Sequence, residues 1–191
     1  MNTTEIYRRA VEEFGRRVEA VSDDQWSNAT PCTEWSVHDL VNHVIGEDKW
    51  VPPLLAGETI AEVGDRFDGD LLGEDPQGSW KQTRADAVDA TMDDAVSQRM
   101  VDLSRGPTSA EIYLQEVAAD NVIHGWDLAK GTGGDTSIDP ELVEFAFAFY
   151  APQAELWRQF GAFGSEVDVP EDADRQTQLL GMVGRRADWS A

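Results

Sequence analysis

The chain has 191 residues, with 15 basic and 37 acidic side chains and a formal net charge of −22. That length supports a single domain, residues 1–191, whose core needs neither disulfides nor a metal staple. The charge repels nucleic-acid phosphates and anionic lipid surfaces, so neither nucleic acid nor membrane is an expected partner. No run approaches the ~20 apolar residues that span a bilayer, and MNTTEIYRRAVEEFGRR lacks the apolar stretch of a signal peptide. The single cysteine, Cys32, cannot form an internal disulfide, and a cytoplasmic location is expected.

In chain order, Ile6, Ala10, Val11, Phe14, Val18 and Val21 recur at helical spacing and predict a first helix over 4–21. SNATPCTEW is a loop, with Cys32 a small half-buried residue in its turn. Ser36 and Asp39 then form a capping-box pattern that starts a second helix near Val37. Val37, Leu40, Val41, Val44, Val51 and Leu55 line its buried side, and Pro52 and Pro53 blur its end. His43 stands on the flank of this stripe with Glu47 and Trp50 beside it, whereas His38 falls on another face and reads as solvated. Residues 57–78, rich in Gly and Asp, predict a long connection of the kind that covers a site or moves.

A third helix is expected over 79–100 through Trp80, Ala87, Val88, Met92 and Val96, and SRGPTS interrupts the chain. Residues 110–130 are apolar around most of a helical circumference, which predicts a central helix ended by Gly131 and Gly133. A fifth helix is expected over 140–160 and a short last one in RQTQLLGMVG, while the strand signal is confined to Val167–Val169. The fold class is therefore all-α, with long antiparallel helices packed as a bundle.

KGTGGD follows a helix instead of a strand, which makes it a helix cap and not a phosphate cradle. DRFDGD lacks the alternating ligands and closing glutamate of a calcium loop. The central helix is more informative. Asp120 and His124, four residues apart, leave one face a turn apart, with Asp127 close by. Buried polar groups need partners, so this pair either satisfies itself by hydrogen bonding or binds something. If the second helix packs here, His43 completes a two-histidine, one-carboxylate set suited to zinc with an open position, or to nickel or iron(II).

TPCTEWSVHDLVNHVIG, DNVIHGWDLAKGTG and LLGMVGRRADW, taken together, resemble the successive signatures of actinobacterial metal-binding proteins related to the N-terminal domain of mycothiol-dependent maleylpyruvate isomerase, within the DinB/YfiT-like superfamily. The resemblance implies a DinB-like four-helix bundle with additional short C-terminal elements. It implies a divalent metal, most often zinc, held by His43, Asp120 and His124, with Glu47 and Asp127 as supporting or proton-handling groups. Trp50, Tyr113 and Trp126 become candidate pocket walls. The isomerase has glutamate at the position of Asp120 and carries a further C-terminal domain, so thiol-dependent transfer is expected to carry over and isomerisation of maleylpyruvate itself is not.

The function implied is a metal-dependent thiol S-transferase in which a thiolate, with mycothiol as the candidate thiol, attacks an electrophile. Its partners would be a low-molecular-weight thiol and a small electrophile, with a homodimer as the candidate assembly. The alternatives are a non-catalytic metal-binding or stress-associated ligand-binding module and a metal-dependent hydrolase.

Overall fold

The computed structural model describes residues 2–93 and 95–190. Four helices form the bundle: α1 (Thr3–Glu19), α2 (Val37–Ala56), α4 (Pro76–Asp89) and α5 (Ala110–Thr132). A one-turn α3 (Ile60–Val63) lies between α2 and α4. Helices α1 and α2 each pack against both α4 and α5, so the four close a ring around one core. The apolar stripes explain this, since Tyr7, Val11, Phe14, Leu40, Val44, Leu114 and Leu128 are all fully buried.

Helix α2 begins as its sequence dictates. The Ser36 hydroxyl accepts from the Asp39 N–H, and the Asp39 carboxylate accepts from the Ser36 N–H. The helix also runs through Pro52 and Pro53 to Ala56, further than two prolines suggest. Each proline removes one helical N–H, but Val51, Pro53, Leu54 and Leu55 are buried, and their packing holds the last turn.

Three expected elements differ. The third helix stops at Asp89, and after a 3₁₀ turn the chain enters an antiparallel hairpin, β1 (Met100–Leu103) and β2 (Gly106–Ser109). Ser104 and Arg105 form its two-residue loop, with Gly106 at φ 105°. The fifth helix divides into α6 (Pro140–Tyr150) and α7 (Ala154–Gln159), because Pro152 has no N–H to return to the Ala148 carbonyl. Val167–Val169 joins no sheet, and the Val167 N–H donates to the Gly181 carbonyl of α8 (Arg175–Met182).

The 57–78 connection folds onto α2. The Asn42 side chain bonds the Gly69 carbonyl and the Leu71 N–H, and Leu72 is buried. One polar network crosses the core: Tyr7 of α1 donates to Asp48 of α2 at 2.6 Å, and Asn121 of α5 donates to the other Asp48 oxygen at 3.1 Å. Burial pushes Asp48 up to about 7 despite these two hydrogen bonds, with the negative charges of Asp120 and Glu47 adding to the shift.

Candidate metal centre

Helix packing places His43 of α2 opposite Asp120 and His124 of α5. His43 Nε2 lies 3.3 Å from one Asp120 oxygen, and His124 Nε2 lies 3.4 Å from the other. One ligand atom from each of the three falls within a 4.8 Å sphere of mutual distance. The His124 Nδ1 faces Asp127 at 3.1 Å, which fixes the ring and turns Nε2 toward Asp120. Asp127 is fully buried and takes a forked contact from Arg185, at 3.1 Å through Nε and 2.9 Å through Nη2. The guanidinium also donates to the Val183 carbonyl. Arg185, Asp127 and His124 therefore form a continuous buried chain ending at the cluster.

The electrostatics follow from this arrangement. Burial opposes charge on Asp120, but His124 and His43 overcome it and hold the carboxyl far below its usual range. Burial likewise works against a charged His124, yet Asp120 and then Asp127 raise it to about 9. Burial would raise Asp127, and Arg185 and His124 hold it low instead. Burial and the nearby Asp120 raise Glu47, with the two histidines opposing. Burial pushes the Cys32 thiol up to about 11, Arg185 offsetting part of the effect.

A divalent metal fits these residues. Asp120 Oδ2 is buried and makes no hydrogen bond among the described residues, facing only the His43 Nε2 at 3.3 Å. Two imidazole nitrogens and a carboxylate are the donor set of an open zinc or iron(II) site. A second grouping, Cys32 with His124 and Asp127, also meets the distance criterion. There, however, both Asp127 oxygens are already engaged by Arg185.

The cluster lines a cavity of about 470 Å³. Glu47, one turn beyond His43, and Tyr113, on α5, line the same cavity. Trp50 and Trp126 do not. Trp50 packs edge-on against Phe67, 5.7 Å between ring centroids, and Trp126 is buried in the core beneath Lys130. The walls come instead from Trp35, Tyr150, Trp157 and Phe163, and residues 57–78 contribute nothing.

Trp35 reaches the site through the 22–36 loop. Gln25 and Asn28 bond the Thr132 and Gly131 carbonyls at the end of α5, and Glu34 adopts a left-handed φ of 72° in the turn before Trp35. The indole then lies 4.8 Å from the His43 ring and 5.7 Å from that of His124. The loop packs closely on Gly131, where a Cβ would stand 3.0 Å from the Ala29 carbonyl. Sequence reasoning singled out neither Trp35 nor Arg185, although both lie inside the quoted signatures TPCTEWSVHDLVNHVIG and LLGMVGRRADW.

Fold and site together define an all-α bundle protein with a histidine–carboxylate cluster at the floor of an aromatic cavity. The chain belongs to the mycothiol maleylpyruvate isomerase N-terminal domain family, whose model matches residues 7–129. It is 28% identical over 189 residues to the uncharacterized protein Rv0738 of Mycobacterium tuberculosis strain H37Rv, covering 97% of this chain and 98% of that one. MT0763 of strain CDC 1551 matches to the same extent, 28% over 189 residues.

The fold matches a crystal structure of mycothiol-dependent maleylpyruvate isomerase with a TM-score of 0.65 at 14% identity, over 97% of this chain and 89% of that chain. A histidine-to-alanine mutant of that enzyme gives 0.64 at 14% identity, over 88% and 75%. The likeness thus extends past α5 into the C-terminal elements and takes in 89% of that chain, leaving little of the isomerase for the further C-terminal domain expected of it. Among the described residues no helix is long and apolar enough to cross a membrane.

Proposed function

We propose that this protein is a divalent-metal-dependent thiol S-transferase that joins a low-molecular-weight thiol, mycothiol by family relationship, to a small electrophile. The observation that carries the reading is the convergence of His43, Asp120 and His124 on one point of the cavity floor. These residues would hold the metal, zinc by the family relationship. When bound, the ion supplies a Lewis acid that lowers the pKa of a thiol sulfur.

The chain's own groups do the rest. Asp127, anchored by Arg185, holds the His124 ring in one tautomer and orientation. Glu47 stands on the cavity wall with a raised pKa and takes the thiol proton. The sulfur electron pair forms the new carbon–sulfur bond, the electrophile's displaced pair leaves with its leaving group or moves onto its acceptor atom, and Glu47 returns the proton. Trp35 roofs the two histidines and limits water access.

The test is zinc-loaded protein with mycothiol, or a simpler cysteine-containing thiol, and a haloaromatic acceptor. Conjugation should depend on the metal, vanish in His43→Ala and His124→Ala, and persist in part in Asp120→Glu, which restores the carboxylate of the isomerase. Two negative results together overturn the proposal: no metal-dependent rate over a panel of thiols and electrophiles, and no thiol-induced change in the visible spectrum of the cobalt-substituted protein. A non-catalytic metal-binding module would then be the better account. Metal-dependent ester hydrolysis without thiol would favour the hydrolase.

A further inference from the structure

The cavity that contains the cluster also carries information about its second substrate. Tyr113 is 5% exposed and its hydroxyl has no hydrogen-bond partner among the described residues; the same is true of the buried Trp157 Nε1. Both side chains line the cavity. Buried polar groups left without partners are costly, and two such donors on residues that line one cavity are what a ligand bringing an acceptor would satisfy.

The apolar part of the wall is a group of rings. Tyr150 meets Trp157 at 6.0 Å and Phe163 at 4.9 Å, both nearly edge-on, while Trp157 and Phe163 are stacked at 5.9 Å. Such a surface favours a flat conjugated or aromatic body.

The charge balance excludes another class. Arg185 is the only guanidinium or ammonium group lining the cavity among the described residues, and it is committed to Asp127. Glu116, also in the lining, is paired with Arg105. Among the described residues Glu47 has no such guanidinium partner, and no guanidinium or ammonium group is free to receive a substrate carboxylate beside it. With the metal's two charges balanced by Asp120 and the thiolate, two substrate carboxylates would enter with no cation left to neutralise them.

We infer that the electrophile is an uncharged, conjugated or aromatic carbonyl compound, its ring against Tyr150, Trp157 and Phe163 and its oxygen receiving hydrogen bonds from Tyr113 and Trp157, and that dicarboxylates are poor substrates. This rests on the thiol-transfer reading and specifies its second substrate. With an aromatic enone, the thiolate sulfur bonds to the β carbon and the alkene π pair moves through the α carbon onto the carbonyl oxygen. Tyr113 and Trp157 stabilise the resulting enolate, and the proton taken from the thiol is returned to the α carbon. The product is a thioether ketone, with no atom or electron left over.

The experiment separates binding from turnover. Zinc-loaded full-length protein is titrated with 4-phenylbutan-2-one, an unreactive ketone, and with 4-(3-oxobutyl)benzoate, its carboxylated counterpart, following tryptophan fluorescence. The neutral ketone should bind at least tenfold more tightly than the carboxylate. Tyr113→Phe and Trp157→Phe, which keep a ring and remove the donor, should each weaken the ketone about threefold to tenfold. In turnover with 4-phenylbut-3-en-2-one and a thiol, the same variants should lower kcat more than they raise KM, because the enolate oxygen is a stronger acceptor than the ketone.

Equal binding of ketone and carboxylate, or unchanged ketone affinity in both variants, overturns the assignment. Selective ketone binding with no thiol addition to any electrophile supports the pocket's preference while refuting the transferase.

Discussion

Asp48 gives the sharpest test of how the core was read. It is fully buried with no cation in contact among the described residues, and its carboxyl is raised from 3.8 to about 7. The folded state therefore holds a proton that the unfolded state has released between these two values. For an acid whose folded pKa is raised, stability is greatest below the unfolded pKa and is lost as pH rises toward the folded one. At about 1.4 kcal/mol per unit, the ionised carboxylate costs the folded protein about 4 kcal/mol above pH 7.

Asp48→Asn removes that cost with little change of shape. The new amide accepts from Tyr7 through its oxygen and offers N–H toward Asn121, whose Oδ1 has no partner among the described residues. Urea unfolding followed by circular dichroism, with chelator present so that no bound cation shifts the balance, should show the variant gaining on wild type from pH 5 to pH 8. The gain should reach a few kcal/mol. Parallel stability curves over that range would refute the reasoning and mean that Asp48 is ionised throughout.

His43→Ala and His124→Ala should each reduce bound metal from about one ion per chain to a small fraction, and His38→Ala should leave it unchanged, as elemental analysis of dialysed protein will show. Chelation should lower the melting temperature while leaving far-ultraviolet helicity largely intact, because the bundle core is independent of the cluster; collapse of helicity would make the site structural. Arg185→Met should destabilise the metal-free protein in urea unfolding, by less than the about 3 to 5 kcal/mol of a wholly orphaned buried charge, since His124 still faces Asp127. Gly131→Ala should cost about 1 to 3 kcal/mol, because its new methyl meets the Ala29 carbonyl and Val37 at the α5–loop contact.

What was legible in the sequence was whatever helical periodicity controls. The capping box at Ser36, the stripes of α1 and α2 and the Asp120–His124 pair depend on spacing within one element, and each lies where that spacing put it. Trp50 shares the angular position of His43, but two turns separate them, about 10.5 Å along the axis, and it meets Phe67 instead. Trp126 follows His124 by two residues, a rotation of about 200°, so it faces the core behind the cluster. Trp35 and Arg185 come from loop segments whose positions depend on tertiary contacts, which no period encodes. The hairpin was missed because Val101 is its one buried residue, leaving no alternation to read.

Arg185 lies 58 positions beyond the carboxylate it neutralises. The match to the family model ends at residue 129, so this counter-charge comes from outside the segment that the model matches. During synthesis the cluster-bearing helices leave the ribosome before Arg185, and until it follows Asp127 lacks the guanidinium that holds it and aims the His124 ring. Assembly of the centre is thus tied to emergence of Arg185, and a fragment cut to the boundaries of the family match would retain His43, Asp120 and His124 yet lack the arginine that orders them.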